Sequence, residues 1–431
     1  MKEAPSKEGV PAHNGRLFTW DDYRWGIARD VLGILRRGNT GGLTMPRTAD
    51  DSWLLPEALK DQVVWFEAFD AWQAARFNQQ LADEAERLRT ADDHRAMAIG
   101  TRIEESTRRS GGDIMRLLAE LSGYWTDLTD FAKAQGERVR EALAAPLNAY
   151  AKEDPEFLAA LSALVTEMLR EAPDDADEEE EDDSEEAEVQ PVAGRRQVLE
   201  LFRCAMRALA IGQASGRLPA GASRAGRILA LLKQRELLLP ALADVGRTLL
   251  LQRAASRLAG APANYLRRFP RRYREFRRAM RTEGNWYPAS AGAASRAHPA
   301  EIDLIILAML RAGRSFEQDR LLSSRLADRR PPMLNAIAGL RRNQVLVDET
   351  TDFSPVQLAC MAALANPATS SLFLSGDFNQ RLTLWGSRSE SDLLWVAPPP
   401  GRGTRCNLLS PEPETVRIRT PSSETAGRPG R

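Results

Sequence analysis

Near its C-terminal end the chain places two short apolar runs, Gln344–Asp348 (QVLVD) and Ser371–Asp377 (SLFLSGD), on either side of a helix start at Ser354-Pro355. Strand, helix, strand at this spacing is a βαβ unit, and such a crossover joins parallel strands. The first run is expected to be a buried strand. Its last residue, Asp348, and the adjacent Glu349 then stand at the strand's carboxyl end, followed by two threonines and Asp352. Ligands of parallel α/β sheets bind outside those strand ends. The following Ser354-Pro355-Val356-Gln357 reads as an N-cap, a proline in the first turn and a glutamine closing a capping box. That accounts for Ser354, Pro355 and Gln357 structurally, and leaves Asp348 and Glu349 without a structural role. The second run again ends in an acid, Asp377, with Gln380 three residues further on.

The rest of the chain reads as helix. From Phe18 to Glu171 it is poor in β-branched residues and rich in Ala, Leu, Glu, Arg and Gln. Residues 20–38 carry the stripe Ile27, Val31, Ile34 and Leu35, with Gly38 as a helix stop. Trp65, Phe66, Phe69 and Trp72 form an aromatic stripe expected to be helix-packing core. The fold class is therefore mixed and predominantly α-helical, with a partial α/β segment and a parallel sheet near the C-terminus. The sequence divides into a flexible leader (1–15), a helical region (16–172), an acidic disordered insertion (173–191), a second helical region (192–335), the α/β segment (336–396) and an irregular tail (397–431).

Charge is segregated rather than absent. The 59 Lys and Arg against 60 Asp and Glu leave a formal net charge of -1. Yet 12 of the 19 residues 173–191 are Asp or Glu, whereas 265–288 carries Arg267, Arg268, Arg271, Arg272, Arg274, Arg277, Arg278 and Arg281. Arginine forks suit phosphates, so these arginines are candidates for nucleic-acid contact. The aromatics among them, Phe269, Tyr273 and Phe276, recur at helical spacing and are expected in the core. Three widely separated cysteines and an N-terminus without an apolar signal core point to the cytoplasm. No stretch approaches the ~20 apolar residues of a membrane span.

Two of these stretches resemble a known family. LVDETTDFSPVQ (residues 346–357) is similar to motif II of superfamily 1 helicases of the UvrD/Rep type, and LSGDFNQRLTLWG (374–386) to their motif III; the likeness covers residues 340–395. The resemblance implies a RecA-like, P-loop NTPase type of α/β segment that binds ATP and Mg²⁺. Asp348 would hold the metal, Glu349 would be the catalytic base, and Gln380 would sense the γ-phosphate from a strand end it shares with Asp377. Trp385 would stack on a base of single-stranded DNA. Thr351 stands where the family has Gln, Arg381 and Thr383 replace a usual Ser and Tyr, and Arg388 is out of register.

A phosphate-cradling GxxxxGK[ST] loop does not occur in the sequence, and the glycine-rich piece 36–46 lacks its Lys-Thr pair. The expectation is an incomplete helicase or translocase, inactive alone, whose second RecA-like domain does not follow motif III. Asn407–Arg419 has a permitted codon choice that reads in another frame as a sequence resembling the family's Tyr-Arg-type motif IV, and the hypothesis this allows is a frameshift near Pro398–Gly401, which the coding DNA decides. The alternatives are a non-enzymatic helical nucleic-acid-binding or interaction protein, and a separate polypeptide that supplies the missing ATPase parts.

Overall fold

A computed structural model describes residues 18–35, 43–46, 51–153, 155–170, 195–235, 241–289, 296–376, 386–387, 390–396, 407–409 and 417–419. The leader, the acidic segment 173–191 and most of the tail lie outside the described residues. The protein is mostly helical, with a small two-stranded parallel sheet. Among the described residues no helix is long and apolar enough to cross a membrane.

The chain forms two compact units that cut across the sequence-based boundaries: one is residues 78–262, and the other comprises the residues before and after it. The inner unit is built of helices that include His94–Ser110, Ile114–Gly123, Trp125–Glu153, Pro155–Arg170, Arg195–Ser215 and Ala243–Ala259. Their ends are marked locally. The Asp93 carboxylate accepts from the amides of Arg95 and Ala96, and Gly111 closes the same helix at φ 61°. Phe157, Leu161, Val165, Phe202, Met206 and Leu209 make up much of the core. At Gly246 an added Cβ would run into the backbone carbonyl of Ala210, so two helices approach there as only glycine allows.

The outer unit is organised around one helix, Pro299–Gln318. Ile302, Leu304, Ile305, Ile306, Leu307 and Met309 are all buried, so the helix is enclosed on every side. Trp20–Gly26, Phe269–Glu283, Pro332–Gly339 and Pro355–Ala363 are further helices of this unit. The expected helix over residues 20–38 is shorter: after Trp20–Gly26 the chain widens into a π-turn, Ile27–Val31, and Gly33 breaks it at φ 61°.

The predicted βαβ unit is present. Strands β1 (Gln344–Val347) and β2 (Ser371–Leu374) pair in parallel, Gln344 beside Ser371 and Val347 beside Leu374, with Pro355–Ala363 between them in sequence. The expectation of a buried strand needs correction. Val347, Leu372 and Leu374 are buried, but the paired Leu346 and Phe373 are 66% and 36% exposed. Among the described residues the sheet has two strands, with Val347, Leu372 and Leu374 on the covered face and Leu346 and Phe373 on the more open one. The tail is also less irregular than expected, since β3 (Asn407–Leu409) and β4 (Arg417–Arg419) pair antiparallel.

Candidate functional site

At the carboxyl ends of the parallel strands the backbone draws tight. The Ser375 amide donates to the Val347 carbonyl at 2.9 Å, and the Thr350 amide returns to the Ser375 carbonyl at 2.8 Å. An added Cβ on Gly376 would meet the Thr350 hydroxyl and lie 2.9 Å from its amide nitrogen, so this approach requires glycine. Between these contacts Asp348 and Glu349 are exposed, and Glu349 takes a left-handed conformation at φ 54° and ψ 46°. Such a backbone costs a non-glycine residue about 1 kcal/mol or more and persists where neighbours enforce it. Neither carboxylate has a hydrogen-bond or ion-pair partner among the described residues. Thr350 and Thr351 are buried, so both belong to the packing.

Exposed hard oxygens at a strand end suit Mg²⁺, which keeps most of its waters and needs one or two carboxylates. A dedicated metal cage is another matter, and among the described residues no three His, Cys, Asp or Glu side chains gather around one point. No stretch of the sequence supplies a GxxxxGK[ST] phosphate loop. β2 runs toward Asp377, while Asp377, Gln380 and Trp385 themselves lie outside the described residues.

The helix behind the two acids is anchored from both ends of its first turn. Ser354 Oγ accepts from the Gln357 amide at 3.2 Å, and the Ser354 amide donates to Gln357 Oε1 at 3.1 Å, completing the predicted capping box. Ser354→Ala should cost about 1 kcal/mol of stability, measurable as a lowered midpoint in urea unfolding. Gln357 has a second role that the sequence did not disclose. Its Nε2 donates to Asp303 Oδ2 at 3.1 Å. Asp303 is fully buried and also accepts from Arg24 Nη1 and Trp20 Nε1, each at 2.9 Å. Burial pushes the Asp303 carboxyl up, against the pull of the Arg24 guanidinium. Burial likewise raises the Cys360 thiol, which donates to the Asp303 carbonyl at 3.3 Å. The signal available in sequence was an acid within an apolar run, EIDLIILAML (301–310), since a buried charge requires a partner.

The basic segment divides into two faces. Phe269, Tyr273 and Phe276 are buried, as their spacing predicts. Two arginines of the candidate nucleic-acid set are buried with them, and they are withdrawn from it. Arg272, 1% exposed, lies over the rings of Phe269, Tyr265 and Phe77 at 4.7, 5.1 and 5.2 Å. It donates to Gln73 Oε1 at 3.2 Å and to the Tyr265 carbonyl. Burial lowers its pKa to about 10, so it stays charged at neutral pH. Arg277, 4% exposed, pairs with the buried Glu301 at 3.2 Å and donates to the Arg296 carbonyl at 2.6 Å. Tyr273 also donates to Glu301, at 3.2 Å. Arg268 sits half-buried at the helix N-cap. Arg267, Arg271, Arg274 and Arg278 remain exposed or half-buried.

Comparison with models of known families, with curated proteins and with solved structures found no match.

Proposed function

We propose that residues 344–376 form the metal-and-water half of a nucleotide-hydrolysis site in a RecA-like segment, and that the chain is a component of a superfamily 1 helicase-type motor acting on DNA. The observation that carries this reading is the pair of exposed carboxylates, without a partner among the described residues, at the carboxyl end of β1, where that strand abuts the end of β2. Mg²⁺ bound with ATP would neutralise phosphate charge there. Asp348 would hold the metal through its waters, and Glu349, displayed by its left-handed backbone, would orient and deprotonate the attacking water. Gln380 and Asp377 would follow from β2 toward the same phosphates, and Trp385 would stack on unpaired DNA. The buried Gln357–Asp303–Arg24 network holds the helix that backs this strand end. Residues 1–431 contain no phosphate cradle, so they alone should not turn over ATP.

Binding of Mn²⁺ with ATP, followed by water-proton relaxation, tests the site. Asp348→Asn is expected to weaken metal-nucleotide binding at least tenfold, and Glu349→Gln to leave it largely intact. Identical binding by wild type and Asp348→Asn would remove the reading. Phosphate release in the presence of single-stranded DNA should stay at background. Rapid turnover abolished by Glu349→Gln would instead mean that the chain holds a complete site.

A further inference from the structure

The helix Phe269–Glu283 separates its residues by chemistry. Phe269, Arg272, Tyr273, Phe276 and Arg277 are buried. Arg271, Arg274 and Arg278, at steps of three and four, occupy the opposite side, and Arg267 continues the row from the preceding helix, Ala261–Arg267. At ~1.5 Å rise per residue the row extends ~16 Å. Arg76 of the neighbouring helix flanks it, 3.2 Å from Glu275. We infer that this row is a rail for the phosphate backbone of a nucleic acid, gripping charge without stacking on or reading bases.

Three features point to that partner. A row of guanidiniums matches a polymer of phosphates better than a single small anion, and each fork can engage phosphate oxygens in pairs. The segment's ring residues Phe269, Tyr273 and Phe276 are spent in the core, so the helix presents none of them as the stacking platform used to grip unpaired bases. For the same reason it lacks the aromatic anchors around which protein–protein interfaces are built. On this side Glu275 is shared between Arg271 at 3.5 Å and Arg76. The arginines of these pairs are 40% and 45% exposed and Glu275 23%, which leaves both pairs open enough to water to exchange for phosphate. The inference deepens the motor reading by naming how the polymer is held, and it requires neither Mg²⁺ nor nucleotide.

The test is fluorescence anisotropy of a labelled oligo-dT 30-mer, a mixed-sequence duplex and an RNA strand, titrated with salt in the absence of nucleotide. The four-fold change R267A/R271A/R274A/R278A is expected to weaken binding at least tenfold. It should also lower the slope of log K against log salt by about 3, at ~0.7 per phosphate released from a single strand. Replacing four other exposed arginines, R102A/R138A/R203A/R247A, removes the same charge and should move the slope by less than about 1. Glu275→Gln should tighten binding. Circular dichroism melts confirm that each variant is folded. An unchanged slope in the rail variant overturns the inference, as does rail-dependent binding of polyglutamate with no binding of any nucleic acid, which would assign the face to an acidic protein. Asp348→Asn should bind nucleic acid as wild type does, so failure of the nucleotide site and failure of the rail give different results.

Discussion

Asp303→Ala is expected to lower stability by about 3–5 kcal/mol, enough to abolish the folded outer unit or nearly so. Asp303 is fully buried and gathers Arg24, Trp20 and Gln357 around one carboxylate. Removing it leaves the buried Arg24 guanidinium with only the exposed Asp21 as counter-charge and strands two further donors in an apolar setting, where each lost partner is costly. Asp303→Asn preserves the shape and a hydrogen-bond acceptor, so its loss should be smaller. Urea unfolding followed by far-ultraviolet circular dichroism makes the comparison, with Asp348→Asn as a surface control expected to shift stability by less than about 0.5 kcal/mol. If Asp303→Ala unfolds at the wild-type midpoint, the buried network does not hold the helix behind the strand end.

Phe276→Ala should cost about 3–5 kcal/mol, the range for truncating a buried phenylalanine. Its ring packs against Phe69, Trp72 and Tyr273 at centroid separations of 5.3, 5.7 and 6.0 Å. Truncation removes both the apolar burial and these ring contacts, and the backbone of an interior helix cannot collapse fully into the cavity. The same variant separates core from ligand contact. At temperatures where it remains folded it should bind oligo-dT with the wild-type salt slope, whereas a stacking role would show as weaker binding with little change in slope.

The strand ends were legible because their signals are local. A capping box, a proline in the first turn and two short apolar runs depend on residues within a few positions of each other, and each appears in the structure where expected. The aromatic spacing of Phe269, Tyr273 and Phe276 was legible for the same reason, since a helical period already separates inside from outside. What the arginines do was not. Arg272 and Arg274 differ by two positions and are chemically identical, yet one is buried in an aromatic cage and the other lies on the outer face. That outcome depends on Phe77 and Gln73, almost two hundred residues earlier in the chain, on the helix Gln62–Arg89. Glu349 is a further case, as nothing in the sequence marks it for a left-handed backbone, which follows from the paired contacts of Thr350 and Ser375.

The sequence by itself determined the helical character of most of the chain, the parallel strand pair and the placing of two acids at its carboxyl end, because propensity, period and spacing act over short distances. Only the tertiary structure decided that one face of that pair stays open, that Gln357 reaches through to Asp303 and Arg24, and that the arginines divide between core and surface. Those outcomes rest on the meeting of segments far apart in the chain, where the cost of burying a charge selects its partner.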